Sequence, residues 1–251
     1  MSAGRMSVLA VHEFGYWWHR YRRTWRGTVV ISIANPLLFV TALGFGLGQL
    51  VDAGNSAYLH GGSYLDFVGP GLLAASAMQM GFVHGAGPVF QSARPGGNYR
   101  AAVTTPMEPS DIFAGHLLFT AFRATLDSAA ILLVLIIFGA ASPAALVGAV
   151  LTALAFAAPI SAYAVSTDRP AKLTAVFRFV IMPLYMFSGT FFPASQLPGP
   201  LRELVWLSPL WHGTELCRGS SYYAVHLAVL IALILGGFLA GRRAYTRRLT
   251  A

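Results

Sequence analysis

The sequence predicts an all-α integral membrane protein with six transmembrane helices. Hydrophobic residues make up 56% of its 251 residues and charged residues only 10%, and the mean hydropathy is +0.61. A soluble domain cannot bury that much apolar surface. Apolar runs of helical length follow one another, and lysine and arginine concentrate in alternate polar segments between them. No polar stretch is long enough to fold separately in water, so residues 1–251 are predicted to form one membrane domain.

The segment from residue 8 to residue 27 precedes the first apolar run and mixes aromatic with basic side chains. Trp17, Trp18 and Tyr21 lie among four arginines and two histidines, a composition suited to the lipid headgroup layer. We therefore predict an amphipathic helix on the inner surface of the membrane. A positively charged flank of the first span has the same composition. The arginines lie too far into the chain for a cleavable signal peptide, so the first apolar run is expected to remain as an anchor.

Five apolar runs are long enough to cross a membrane, since a helix rises about 1.5 Å per residue and the hydrocarbon core is about 30 Å thick. They cover residues 29–50, 67–90, 112–138, 143–165 and 222–241. A sixth run, 174–192, is interrupted by Pro183 and Gly189. The stretch 193–219 that follows is too short and too punctuated to cross twice. Non-helical backbone at membrane depth survives only inside protein or beside water, so two short re-entrant or interfacial helices are predicted there, on the outer side.

The distribution of lysine and arginine predicts the orientation of the chain. When the N-terminal segment and every second connection are placed on one side, that side holds thirteen basic residues, and the other side holds only Arg202 and Arg218. The thirteen are Arg5, Arg20, Arg22, Arg23, Arg26, Arg94, Arg100, Arg169, Lys172, Arg242, Arg243, Arg247 and Arg248. Both termini are therefore predicted to be cytoplasmic in a multi-pass protein of the cell membrane. Because the basic residues alternate with spans and form no single surface, membrane lipid is the expected partner and nucleic acid is not.

Two ionisable residues, Arg123 and Asp127, lie inside an apolar run, where a charge costs roughly 2.5–3.5 kcal/mol on insertion scales. Their spacing of four places them on one face of a helix. We predict an intramembrane ion pair that either stabilises the protein or lines a polar pathway. No metal site is predicted, because Cys217 is the only cysteine and His84 and His116 have no further ligands at a recognisable spacing.

The end of the sixth run and the segment that follows it carry a cluster of aromatic and ionisable residues. Its members are Tyr185, Phe187, Phe191, Phe192, Trp206, Trp211, His212 and Glu215. Such side chains could form a gate or a translocation path for an amphiphile. An aromatic belt at the membrane interface gives the same composition without any role in transport. The composition of this segment leaves both interpretations open.

Four motifs, in this order along the chain, resemble those of one family of membrane proteins. They are Y-L-D-F-V-G-P-G-L-L-A-A at 64–75, N-Y-R-A-A-V-T-T-P-M at 98–107, F-S-G-T-F-F-P at 187–193 and L-S-P-L-W-H-G-T-E-L-C-R-G at 207–219. With the hydropathy profile, they resemble the type-2 ATP-binding-cassette (ABC) exporter permeases over nearly the whole chain. The resemblance is especially to the branch with nodulation lipo-oligosaccharide and daunorubicin-type drug exporters.

The resemblance implies that two permease subunits, a second copy or a related chain, pair in a bacterial inner membrane and bind two ABC ATPase subunits. It also implies that the cytoplasmic segment 91–111 couples the ATPase to the membrane pathway. The expected coupling residues are Asn98, Tyr99, Arg100, Thr104 and Pro106. The chain has no glycine-rich loop ending in Gly-Lys-Ser or Gly-Lys-Thr, and its only lysine is Lys172. No cofactor is therefore expected in this chain, and ATP and Mg are expected in the partner ATPase.

Polar residues at the end of the coupling segment have two possible roles. Glu108 and Asp111 come just before an apolar run, and carboxylates stabilise a helix N-terminus. Ser110 could cap the same helix. Contact with the ATPase is the alternative, and capping is the favoured interpretation.

The predicted function is export of a hydrophobic or amphipathic compound, such as a drug, lipid or glycolipid, by a subunit that is not itself an enzyme. Export of a polysaccharide or lipo-oligosaccharide is the alternative within the same class, because a fold does not determine its substrate. The alternative from another class is a membrane-embedded lipid-modifying enzyme, with His212 and Glu215 as acid or base near Ser208. Against it, Ser208 precedes a proline and no third, orienting group is evident.

Overall fold

The computed structural model describes residues 3–42, Gly46, Gly48 and 63–250, and every regular element in these ranges is helical. In chain order the helices are α1 (Ala3–Thr41), α2 (Tyr64–Ser92), α3 (Asn98–Ala102), α4 (Pro109–Ile137), α5 (Ala145–Ser166), α6 (Pro170–Val176), α7 (Met182–Phe187), α8 (Gly199–Trp206), α9 (Pro209–Arg218) and α10 (Tyr223–Leu249). A π-helical turn, Phe177–Ile181, joins α6 to α7, and a short 3-10 turn, Ala194–Gln196, precedes α8.

Four of the described helices are long and apolar enough to cross a membrane. They are α4, α5, α10 and the continuous helix Pro170–Phe187, which is built from α6, the π-helical turn and α7. Helix α2 has 29 residues, about 44 Å, but is not one of the four. Part of the first predicted span, 29–50, lies outside the described residues. The all-α class and four apolar helices of spanning length are confirmed, and the count of six spans stays a prediction.

The N-terminal helix α1 has no break between the predicted interfacial segment 8–27 and the start of the first predicted span. The structure therefore has one helix where the sequence predicts two elements. The helix continues because few residues here disfavour it. Gly27 is the only glycine or proline in the stretch 20–34, and one glycine destabilises a helix by only about 1 kcal/mol. Helix α1 packs along α4 and buries Trp17, so the segment belongs to the helical bundle.

The third predicted span begins at a capping box. Pro109 is the first residue of α4, and the Asp111 carboxylate accepts the backbone N–H of Glu108 at 3.0 Å. The predicted carboxylate cap is confirmed, but Glu108 and not Ser110 occupies the cap position. Helix α4 thus starts three residues before the predicted run, because the polar cap residues complete its first turn.

The sixth predicted run, 174–192, differs at both ends from the helix Pro170–Phe187. Pro170 occupies the first helical position, where its missing N–H costs nothing. The π-helical turn comes just before Pro183, which cannot donate a backbone hydrogen bond. The chain leaves the helix after Phe187 and turns at Gly189, whose φ is +76°. The predicted interruption is therefore a distortion at Pro183 and an end before Gly189.

Helices α2 and α5 pack with their backbones in contact. Gly81 of α2 faces the carbonyl oxygen of Ala153, and a Cβ on Gly85 would lie 2.9 Å from the carbonyl oxygen of Ala157. Small residues four apart on both helices permit this close approach. Helix α5 also packs against α4, α9 and α10 and is the centre of the bundle.

The two ends of the bundle collect the segments that the charge distribution assigns to opposite sides. At one end, Arg94 donates to the backbone oxygen of Asp168 at 2.8 Å, and Arg248 donates to the Asp168 carboxylate at 2.7 Å. At the other end, Arg218 donates to the backbone oxygen of Phe67. We call these the basic end and the outer end of the bundle. The coupling segment lies at the basic end, and α8 and α9 lie at the outer end.

Candidate functional site

Tyr99, an expected ATPase contact in the coupling segment, is completely buried within the chain. Its ring lies 5.6 Å from the ring of Tyr245 in α10, and Tyr245 lies 4.8 Å from Phe113 in α4. Within this chain, Tyr99 anchors α3 to the bundle. Its contact with an ATPase stays a prediction.

Asn98 anchors the other side of the same short helix. Its Nδ2 donates to Glu13 Oε1 at 3.5 Å, and Trp17 Nε1 donates to the same oxygen at 2.7 Å. Burial raises the pKa of the Glu13 carboxyl to about 7, against the opposite effect of these two hydrogen bonds. Sequence reasoning missed Glu13, although a single acidic residue in a basic, aromatic segment is unusual. Glu13 connects α1 to the coupling segment.

The exposed face of the coupling segment includes Arg100, Thr104, Thr105 and Pro106. Thr104 and Thr105 use their hydroxyls to cap the end of α3, donating to the carbonyl oxygens three residues earlier at 2.7 and 2.6 Å. The Arg100 side chain is exposed. Three of the five expected coupling residues, Arg100, Thr104 and Pro106, are therefore placed where a partner can reach them.

A groove of about 720 Å³ opens next to the coupling segment, between the start of α4 and the end of α10. Its walls include Glu108, Arg242, Arg243 and Arg247. The arginines come from the basic C-terminal turns of α10, which were predicted to be cytoplasmic. The groove adds positive charge to the basic end of the bundle.

Arg123 and Asp127 form the predicted ion pair. Arg123 Nη2 lies 3.0 and 2.9 Å from the two carboxylate oxygens of Asp127, and both side chains are buried. The Arg123 guanidinium also lies 4.2 Å from the centre of the Tyr21 ring. The pair thus fixes α4 internally, and its arginine contacts α1.

Arg218 holds the outer end of the bundle together. Its guanidinium donates to the backbone oxygen of Gly189 at 2.8 Å and to that of Phe67 at 3.1 Å, and it lies 3.9 Å from the Phe67 ring centre. It also pairs with Glu215 at 3.2 Å. One side chain therefore joins α9, the turn after α7 and the first turn of α2. Glu215, an expected gate residue, orients this arginine.

The expected gate residues do not form a single cluster. Tyr185 and Phe191 pack edge to face at 5.3 Å, whereas Phe187 lines a separate apolar groove of about 310 Å³ with Leu201 and Leu204. Trp206 is 48% exposed. Of the remaining members, Phe192 and Trp211 are half-buried and His212 is buried. The structure brings some of these residues together but assigns them to different contacts.

A histidine pair joins α9 to α10 at the outer end. His212 and His226 are buried and share a hydrogen bond, with 2.8 Å between their Nδ1 atoms. The Trp211 ring lies 5.0 Å from each imidazole ring. One Nδ1 must donate and the other accept, so at least the accepting ring is neutral. His226 gave no signal in the sequence beyond being a histidine in an apolar run.

Residues 15–222 match the family model described as "ABC-2 type transporter". The chain belongs to the ABC-2 type transporter family. The match begins in α1 and ends just before α10, so it includes the coupling segment and both short outer helices.

This permease is also similar to proteins named Nodulation protein J over most of its length. The Bradyrhizobium diazoefficiens protein is 28% identical, with 99% of each chain covered. The Rhizobium meliloti protein is 29% identical, with 92% of each covered. The Sinorhizobium fredii protein is 31% identical, with 80% of this chain and 78% of the relative covered.

Membership of this family makes the chain the membrane component of an ABC transporter, and such permeases normally work with a separate ABC ATPase. The three side chains that the enzyme alternative names have other hydrogen-bond partners. Ser208 Oγ lies 2.7 Å from Ser188 Oγ, while His212 and Glu215 have His226 and Arg218 as partners. Among the described residues there is no group of three histidine, cysteine or acidic side chains that could hold a metal ion.

Proposed function

We propose that this ABC-2 permease pairs with a second copy or a related permease and exports a hydrophobic or amphipathic compound, driven by an ABC ATPase. The compound leaves from the cytoplasm or from the inner leaflet of a bacterial inner membrane. The basic end of the bundle and both termini face the cytoplasm. The thirteen-to-two distribution of basic residues supports this orientation.

The observation that carries the proposal is that the coupling segment has one face exposed and the other packed against the helical bundle. Arg100, Thr104 and Pro106 are exposed, while Tyr99 packs against α10 and Asn98 bonds to α1. A force applied by an ATPase to the exposed face therefore reaches the first and last helices of the chain through short, buried contacts. Rigid-body movement of helices is a common way to convert such a force into a change of access.

The apolar groove between the helix Pro170–Phe187 and α8 supports an apolar or amphipathic cargo. Its volume of about 310 Å³ is at the lower limit for a drug-sized ligand. Phe179, Phe187 and Leu204, which line it, are all more than half exposed. An acyl chain or a flat hydrophobic compound could pass along this surface at low cost.

A lipo-oligosaccharide is the second candidate cargo. The observation that favours it is the similarity to Nodulation protein J relatives, which extends over 99% of both chains for the Bradyrhizobium diazoefficiens protein. Such a molecule has a lipid tail that suits the apolar groove and a sugar head that does not. The two candidate cargoes therefore share an apolar part that the groove can accept, and they differ in whether a sugar headgroup is attached.

The proposal is tested by purifying the tagged full-length permease from its native membrane in mild detergent, with mass spectrometry and an ATPase assay. We expect a stoichiometric ABC ATPase and vanadate-sensitive ATP hydrolysis. Stimulation of hydrolysis by simple amphiphiles supports the first cargo, and stimulation only by a lipo-oligosaccharide supports the second. Absence of an ATPase under several lipid and nucleotide conditions would overturn the exporter proposal.

The docking surface has its own test in Arg100→Glu, which reverses the charge of an exposed residue. We expect this variant to fold normally and to lose the ATPase. Arg202→Glu, at the outer end, is the matched control and should retain it. Normal recovery of the ATPase with Arg100→Glu would remove Arg100 from the docking surface.

A further inference from the structure

A cavity of about 140 Å³ lies among α1, α2 and α4, apart from the coupling segment and the outer helices. Aromatic rings of Trp17 and Tyr21 and the polar groups of Arg20, His116 and Arg123 contribute to its walls. One water needs only about 10–15 Å³ by this measure. The cavity therefore has room for a polyatomic group.

Arg123 lines this cavity with hydrogen-bond donors that the described protein does not use. The side chain is only 1% exposed, and Nη2 is bonded to Asp127. Neither Nε nor Nη1 has a partner among the described residues. Buried charged donors are rarely left in this state, because their desolvation is not compensated. Nε and Nη1 of Arg123 therefore indicate that a hydrogen-bond acceptor is missing from the described protein.

His116 supplies an acceptor to the same cavity. Pro88 of α2 has no N–H, so the carbonyl oxygen of His84 lacks its usual partner within the helix. His116 Nε2 donates to that oxygen at 3.0 Å. A carbonyl oxygen can only accept, so Nε2 carries the proton, and Nδ1 of the neutral ring is an acceptor. Nδ1 has no partner in the described part of the chain either.

Arg20 places a second guanidinium at the mouth of the cavity. It is exposed, and its guanidinium carbon lies 5.6 Å from the Trp17 ring centre. Since Asp127 neutralises Arg123, the charge of Arg20 leaves the cavity with a net positive charge. That charge matches an anion with one negative charge.

We propose that this cavity binds a phosphate group, either in the headgroup of an anionic lipid or as free phosphate. Arg123 donates through Nε and Nη1, and Arg20 donates from the mouth. His116 Nδ1 accepts a hydrogen bond from a hydroxyl of the ligand, such as a glycerol hydroxyl or a P–OH of dihydrogen phosphate. Arginine is the side chain best suited to phosphate oxygens, because it presents several N–H donors in a fixed plane.

The test uses the purified full-length permease in a neutral detergent and measures its thermal unfolding midpoint. The probes are dihexanoyl phosphatidylglycerol, dihexanoyl phosphatidylcholine and inorganic phosphate, all at one ionic strength. We expect phosphatidylglycerol, phosphate or both to raise the midpoint, and phosphatidylcholine not to do so. A response to phosphatidylglycerol alone assigns the site to a lipid headgroup, and a response to phosphate alone assigns it to the free ion.

Substitutions test whether the probes bind in this cavity. Arg20→Gln should weaken the apparent affinity by about tenfold, the loss expected for one charged hydrogen bond. Arg22→Gln, two residues away, exposed and outside the cavity, is the matched control and should bind normally. The double variant Arg123→Gln, Asp127→Asn replaces the ion pair with two neutral side chains and should abolish the rise in the unfolding midpoint. If no probe raises the midpoint, or if Arg20→Gln binds as well as Arg22→Gln, the proposal is wrong, whether or not the double variant folds.

Discussion

The ring of Tyr99 in the coupling segment lies 5.6 Å from the ring of Tyr245 near the end of α10. Both side chains are completely buried. A helix of five residues is therefore held to the last span by an aromatic contact, and its exposed residues are presented from a fixed base. Tyr99 anchors the segment, whereas ATPase docking is proposed for its exposed side chains.

Replacing Tyr99 separates these two roles. Tyr99→Ala removes a buried ring and should lower the free energy of unfolding by about 3–5 kcal/mol, the usual cost of deleting a buried aromatic side chain. Tyr99→Phe keeps the ring and should cost much less. Thermal unfolding in detergent measures both. If Tyr99→Ala leaves the stability unchanged and only the ATPase is lost, the residue contacts the partner after all.

The Glu13 carboxyl predicts a dependence of stability on pH. Its pKa rises from 4.5 to about 7 on folding because burial disfavours the charged form. The folded state therefore holds this proton more tightly than the unfolded state. The contribution of Glu13 to the free energy of unfolding is greatest below pH 4.5. About 3 kcal/mol of it is lost as the pH rises from 4.5 to about 7.

Glu13→Gln should remove that part of the pH dependence, whereas Glu203→Gln, on an exposed side chain of α8, should not. The measurement is the unfolding midpoint of each variant below pH 4.5 and above pH 7, the limits of the window. Parallel pH profiles for wild type and Glu13→Gln would show that Glu13 does not titrate in this way.

Two glycines of α2 provide a matched comparison. A Cβ on Gly81 would collide with the carbonyl oxygen of Ala153, whereas a Cβ on Gly87 would meet nothing within 4 Å. Gly81→Ala should destabilise the permease by about 1–3 kcal/mol through overpacking. Gly87→Ala should be neutral or stabilising, since alanine favours a helix. Equal effects of the two substitutions on the unfolding midpoint would contradict the close packing of α2 on α5.

The single cysteine reports on the contacts of Arg218. Cys217 is buried, and burial raises the pKa of its thiol to about 12. Its reaction with a maleimide should therefore be slow. Arg218→Lys cannot reproduce the contacts to Phe67 and Gly189, and the labelling rate should increase by about tenfold or more. Arg202→Lys, on an exposed residue, should leave the rate unchanged, and a similar rate in all three proteins would argue against the role of Arg218.

The sequence predicted those features that depend on local spacing. The Arg123–Asp127 pair and the carboxylate cap of α4 follow from residues three or four apart. The two short helices at the outer end follow from prolines and glycines. These features require no knowledge of which helices are neighbours.

Features that depend on helix packing could not be predicted in this way. Tyr99 is buried because α10 covers it, and Glu13 meets Asn98 because α1 runs beside α4. His212 finds His226 across two helices. In each case the decisive partner lies far away in the sequence, and one sequence contains no information on such pairs.

The contact between the backbones of α2 and α5 limits how this permease can move. With Gly81 and Gly85 against α5, no layer of flexible side chains separates the two helices at these points, so neither can slide along the other. They form a single rigid strut through the bundle. The helix Pro170–Phe187 instead buries only 11% of its most apolar stretch and contains a π-helical turn. Changes of access between the two sides are therefore expected where this helix moves relative to the strut.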